Sequence, residues 1–192
     1  SKRVRGIRPY SADTPFEALI KSIIQQQISY RAANILTKRL ILSISISDDQ
    51  YHKFPTPIEI IEMKEGGLRD IGLGYKARYI LNVCEKIESG ELTLEPLVEK
   101  SIEEIKSLLL PIKGIGEWTV HIFTIAGLGR YSIFPFGDLG VQNTITKVLG
   151  LSKRLSKIEL RSYSEEMGPD GPLVLYLVMC ADVLGIIETT SI

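Results

Sequence analysis

The segment PFEALIKSIIQQQISYRAANILTKRLI, residues 15–41, constrains the fold most. Its apolar side chains fall at steps of three and four through Phe16, Leu19, Ile20, Ile23, Ile24, Ile28, Ile35, Leu36 and Leu40. That spacing lines one stripe of a helix, whereas a strand needs strict alternation. The pattern predicts one long amphipathic helix, or two with a break near Ser29. Similar periodicity recurs in PIEIIEMKE, in a segment beginning near Lys76 and running through ARYILNVCEKIE, and in SIEEIKSLLL, EWTVHIFTIAGL, LGVQNTITKVLG and PLVLYLVMCADVLG. The Gly- and Pro-bearing stretches FPTP, GGLRDIGLG and MGPDGP punctuate these segments. Only ILSISIS alternates like a strand, and it is too isolated to make a sheet. The expected class is all-α.

Composition narrows the function. With 44% hydrophobic and 24% charged residues, the 192-residue chain is an ordinary globular sequence. No apolar run is long enough for a bilayer, and the basic opening SKRVRGIRPY leads into DTPFEALI instead of a secretory segment. An intracellular protein is the expectation, nuclear if the host is a eukaryote. Cys84 and Cys180 have no paired spacing, which suggests neither a disulfide framework nor an iron–sulfur cluster. No metal-ligand set is evident. A formal charge of zero argues against coating nucleic acid through bulk electrostatics, so any such contact must be local. Positive charge gathers at Lys2, Arg3, Arg5 and Arg8, and negative charge in SIEEIK and around Glu165 and Glu166. Each run alone reads as solvated surface.

Residues 101–128 read as helix, loop, helix, with the loop at Ile112, Lys113, Gly114, Ile115 and Gly116. Glycines here permit positive dihedrals and bare amides, and the following helix adds its positive dipole end, a combination suited to one phosphate. A tight hairpin needing glycine only for its turn fits the same letters equally well.

IKGIGEWTV followed by FPFGDLGVQ resembles the helix-hairpin-helix (HhH-GPD) DNA glycosylases with a Gly/Pro-rich loop and an aspartate, particularly the 3-methyladenine DNA glycosylase II branch. The resemblance extends back to PFEALIKSIIQQQISYRAA and IGLGYKARYI and covers residues 15–149. Four matches in the right order are specific where any one alone is weak. The resemblance implies a two-lobed helical fold within one domain. Residues 24–128 would form a helical bundle that includes the hairpin, and 1–23 with 129–192 the second lobe. The DNA and base cleft would lie between the lobes, with Asp138 facing the hairpin across it. It also implies a monomer acting on double-stranded DNA that contains damaged bases, without a cofactor, though a monovalent cation at the hairpin loop is compatible with it.

By the same resemblance Asp138 is the catalytic aspartate. An Asp before LGVQNTITKVLG is also a good helix N-cap, and the roles are compatible because backbone donors and the dipole favour a carboxylate there. Cleaving an N-glycosidic bond builds positive charge on the sugar, which a fixed carboxylate stabilises, unless it instead positions water for attack. Bifunctional relatives have a lysine nucleophile after the hairpin glycines, where this chain has Trp118. Monofunctional base release is therefore expected. An indole face also attracts electron-poor, often cationic alkylpurines; a lone Trp in a hairpin can also be core, and the resemblance favours the pocket.

Flipping a base leaves a gap in the duplex. Gln27 lies four residues after Ile23, where an apolar side chain was due, and matches the family's wedge position; a backbone partner for its amide is the alternative. Tyr75 matches an aromatic that the oxoguanine branch sets against the opposite strand, and Lys76 and Arg78 are placed to hold phosphates. The chain departs from the alkyladenine branch at Ile122 and Leu139, where pocket aromatics are usual, and in MGPDGPLVLY, which lacks the usual tryptophan. It also starts near the helical core, without the β-rich N-terminal lobe of some relatives. His121 and His52 receive no chemistry. The alternatives are a glycosylase for oxidised or deaminated bases, a non-catalytic helix-hairpin-helix DNA-binding module, and a helical interaction protein without a DNA role.

Overall fold

The computed structural model describes residues 8–44 and 52–186, and among them every regular element is helical. Lys2, Arg3 and Arg5 lie outside the described residues, as does the ISIS pattern beyond Ile44. The part of that pattern within reach belongs to a helix, so its alternation makes no strand.

The first apolar stripe is two helices, α1 (Pro15–Gln25) and α2 (Tyr30–Ile44). Thr14 caps α1 by accepting from the Glu17 amide, and Pro15 at the first position has no amide to leave unpaired. Leu19, Ile20, Ile23 and Ile24 are fully buried. The break is where the sequence placed it, with the Ser29 hydroxyl accepting from the Ala32 amide at the head of α2.

Helices α3 (Pro57–Glu62) and α4 (Lys64–Leu68) lead into a π turn (Arg69–Leu73), and then α5 (Lys76–Glu88). GGLRDIGLG therefore does not act as a simple separator: α4 and the π turn run through it, and Gly72, at φ 100°, supplies the one kink. After a 3-10 turn (Glu95–Glu99) come α6 (Ile102–Leu109) and α7 (Glu117–Leu128), the expected hairpin. Beyond lie α8 (Leu139–Val148), α9 (Lys157–Glu166) and α10 (Gly171–Val183).

Helix α9 was absent from the sequence expectations because its apolar content is low. Its signal was the pair Ser156 and Glu159, whose side chains each bond the other's backbone amide in a capping box. Thr56 with Glu59 and Ser101 with Glu104 do the same for α3 and α6. Gly171 opens α10 against α9 so closely that a Cβ would sit 1.9 Å from the Ser164 carbonyl oxygen.

Two compact units emerge. One is Ala12–Phe123; the other takes the remaining described residues, 8–11 and 124–186. The first is cored by the apolar faces of α1, α2, α5 and α6 with Phe123 of α7. The second is cored by Phe134, Phe136, Val141, Ile145, Leu155, Leu160 and Leu175.

Candidate active site and DNA interface

In the first unit the structure gathers three stretches distant in sequence: the hairpin loop, the turn between α1 and α2, and the start of α5. The loop is pinned from beneath by Ile112 and Ile115, both buried. The Ile115 amide donates to the Ile112 carbonyl at 3.0 Å, while the amides of Gly114 and Gly116 make no such turn bond among the described residues. Lys106 reaches across the hairpin to Glu117 at 2.8 Å, and this hydrogen bond holds the Glu117 carboxyl below its ordinary range. Gly114 has φ 96°, and the Tyr79 ring lies where its side chain would be. Lys113 is exposed beside it.

The turn after α1 is held from both sides. The Gln26 side-chain nitrogen donates to the Gly114 carbonyl at 2.7 Å and to the Thr119 hydroxyl at 2.9 Å. The Lys76 ammonium donates to the Ile24 carbonyl at 2.6 Å, a cation on the C-terminal end of α1. Between them Gln27 is exposed with φ 57°, a left-handed conformation uncommon outside glycine. The Tyr75 hydroxyl donates to the Gln27 side-chain oxygen at 3.3 Å, and Tyr75 packs edge-on to Tyr79, 5.7 Å between centroids.

Lys76 thus corrects the sequence expectation. It is only 4% exposed and its burial lowers its pKa, so it caps a helix and is not a surface cation waiting for phosphate. Arg78, two residues on, is exposed, and with Lys113, Tyr79, Asn82, Glu65 and Glu85 it lines a groove of about 430 Å³. The side chain of Ile115 belongs to the core. Trp118 and Ile122 stand one helical turn apart on α7, both half-buried.

In the second unit, Asp138 begins α8 with β-region dihedrals, and its Oδ1 accepts from the Val141 amide at 2.9 Å. Its own amide donates to the Pro135 carbonyl at 2.9 Å. The loop before it is anchored by Phe134 and Phe136 in the core and by buried Gln142, whose side-chain nitrogen donates to the Phe136 carbonyl at 2.9 Å. A Cβ on Gly140 would meet the Asp138 carboxylate at 3.1 Å, so glycine there leaves the side chain its rotamer. Leu139 is 58% exposed.

Sequence reasoning missed Gln26, Tyr79, Thr119 and Gln142. Gln26 had a signal, an amide among apolar helix positions, which was read only at its neighbour. Tyr79 follows Tyr75 by one helical turn, a spacing that sets two rings on one face.

The described residues contain no group of three or more His, Cys, Asp or Glu suited to a metal. No helix among them is long and apolar enough to cross a membrane. The Ile112 and Gly114 carbonyls of the hairpin loop each accept one hydrogen bond from within the protein.

Known proteins share this helical fold and part of this sequence. A putative DNA-3-methyladenine glycosylase of Bacillus subtilis is 33% identical over 80% of this chain and 54% of its own length. The DNA-3-methyladenine glycosylase 1 of Schizosaccharomyces pombe is 34% identical over 86% of this chain and 71% of its own. A solved S. pombe 3-methyladenine DNA glycosylase in complex with abasic DNA superposes with a TM-score of 0.76 at 31% identity, covering 94% of this chain and 88% of that one. The chain spans about half the length of the B. subtilis relative. The family model for HhH-GPD superfamily base excision DNA repair proteins matches residues 20–170, and the chain belongs to that superfamily.

Proposed function

We propose that this protein is a monofunctional DNA glycosylase that releases alkylated purines of the 3-methyladenine type from double-stranded DNA. The observation that carries the reading is Asp138: a carboxylate fixed at the head of α8 by the Val141 amide, on a loop braced by Gln142. The names of the S. pombe and B. subtilis relatives support the substrate class.

In this reading the hairpin amides and the exposed cations Lys113 and Arg78 hold the phosphodiester near the damaged nucleotide. The base leaves the stack, and Gln27, raised on its left-handed turn, fills the gap. Trp118 and Ile122, one helical turn apart on α7, offer one face to the flipped base, and Leu139 follows Asp138 at the head of α8. An alkylated purine carries positive charge and leaves as a neutral base, taking the electron pair of the breaking C1′–N bond. The Asp138 carboxylate opposes the positive charge left on the sugar, or orients the water whose oxygen bonds to C1′ and whose proton passes to solvent. With tryptophan at position 118 no amine attacks C1′, so the product is an intact strand with an abasic site.

Base release from duplexes carrying methylpurine, hypoxanthine or 8-oxoguanine tests this. Release of methylpurine, with no adduct trapped by borohydride, is expected. Release of 8-oxoguanine alone, or a trapped covalent adduct, would overturn it. Binding without release would leave a DNA-binding module.

A further inference from the structure

The proposed reaction needs two things at once, a grip on the phosphate and a wedge in the duplex. They come from segments nearly ninety positions apart: the Gly114 loop grips and Gln27 wedges. Nothing in the chain sequence ties them. In the folded unit one side chain does.

We propose that Gln26 is a positioning residue that locks the Gln27 turn to the phosphate-gripping hairpin, so that insertion and grip occur as one rigid act. The inference rests on the functional reading above. Gln26 sits at the C-terminal cap of α1, and its side-chain nitrogen places both protons on the hairpin: one on the Gly114 carbonyl at 2.7 Å, one on the Thr119 hydroxyl at 2.9 Å. The orientation of the amide is dictated by chemistry, because a backbone carbonyl only accepts and so must face the NH₂ end. Thr119, itself 1% exposed, is the third residue of α7 and immediately follows Trp118. One amide thus spans the loop glycine and the first turn of the helix that carries Trp118.

The geometry on the other side explains why such a lock is needed. Gln27 holds a left-handed φ of 57°, a conformation uncommon outside glycine that persists only when its surroundings over-determine it. The surroundings are the two Gln26 bonds before it and the Lys76 ammonium on the Ile24 carbonyl. A rigid wedge loses little freedom on insertion, and a hairpin in register with it accepts the phosphate without rearranging.

Two substitutions separate the bonding from the bulk. Gln26→Met keeps a long unbranched side chain and removes both donors, whereas Gln26→Glu keeps the shape and sets a carboxylate oxygen against the Gly114 carbonyl. Affinity for a duplex with a stable abasic analogue should fall by about tenfold to a hundredfold in both, the ratio expected for losing two partly buried hydrogen bonds. Affinity for undamaged duplex, which needs no wedge, should fall less than threefold. Thr119→Val alone should give part of the loss, and adding it to Gln26→Met should cost little more, since the two share one hydrogen bond. Hydrogen exchange in the free protein should rise at 112–119 and at 26–29 together in the Gln26 variants.

Abasic-duplex affinity within twofold of wild type in both Gln26 variants would overturn the lock, as would additive losses with Thr119→Val. A wild type without preference for the abasic duplex would overturn it too. A wild type that prefers abasic duplex yet releases no alkylated base would instead fail the functional reading, leaving the binding comparison to decide on Gln26.

Discussion

Gly114 and Gly116 look alike in sequence and should behave oppositely when replaced. At Gly114 a Cβ would lie 2.2 Å from Cγ and 2.6 Å from Cβ and Cδ1 of Tyr79, and φ is already 96°. The dihedral alone costs an alanine about 1–3 kcal/mol. Displacing a packed ring costs about 1–3 kcal/mol more. A total of about 2–6 kcal/mol is a large share of the 5–15 kcal/mol that typically stabilises a domain, and corresponds to a drop of at least about 4 °C in Tm for a chain of this size. At Gly116 no atom lies within 4 Å of a Cβ, and φ is not positive. Gly116→Ala should cost about 1 kcal/mol or less, from its place at the head of α7, while weakening damaged and undamaged duplex alike by blocking the amide's approach to phosphate. Thermal and urea unfolding measure the first effect, and filter binding or anisotropy the second. A Tyr79→Ala background partitions the Gly114 cost: the ring's share should vanish there, leaving the dihedral's. Gly114→Ala as stable as wild type, or equal costs at the two glycines, would refute the reasoning.

Arg78→Ala and Lys113→Ala should each lower the slope of log affinity against log salt by about one, because a protein without that cation neutralises one phosphate fewer. Lys76→Met should leave that slope unchanged and instead destabilise the fold by about 1–3 kcal/mol, the cost of an unpaired Ile24 carbonyl; a slope change there would restore Lys76 to the interface. The carboxyls of Glu59, Glu104 and Glu159 are lowered by their hydrogen bonds to Thr56, Ser101 and Ser156 from an ordinary value of 4.5. The folded state therefore holds their protons less tightly than the unfolded one, so their contribution is complete above pH 4.5 and fades as pH falls through the lowered values. Replacing all three with glutamine should flatten the decline of urea midpoints below pH 4.5, and parallel curves would contradict it. If Trp118 meets the flipped base, its emission, the only indole signal in the chain, should change on binding an abasic or alkylpurine-analogue duplex far more than on undamaged DNA; emission insensitive to both would place it outside the pocket.

The helices and the hairpin were legible because they rest on local physics. Apolar steps of three and four marked α1, α2, α5 and α7, and Ser29 marked the break between the first two. Helix α9 escaped because its apolar positions are few and only its capping box announces it. At the site, Asp138 was legible as the N-cap of α8, since a cap is read from its place before a helix. Lys76 was misread for a physical reason: whether a lysine is a free cation depends on what packs over it, and the covering came from the end of α1, 52 residues earlier. Gln26 and Tyr79 escaped similarly, since their partners, Gly114, Thr119 and the loop backbone, are neighbours that no local pattern encodes.

The central claim is that the charge of Asp138, and not its cap, drives base release. Asparagine keeps an oxygen able to accept from the Val141 amide at 2.9 Å and removes only the charge. Single-turnover release of methylpurine by Asp138→Asn, measured beside its melting temperature and its affinity for abasic duplex, tests this most directly. Release should fall by about a hundredfold to a thousandfold, the loss typical of removing one preorganised electrostatic interaction, with melting and affinity close to wild type. Release near the wild-type rate would contradict the account and leave Asp138 as the cap of α8.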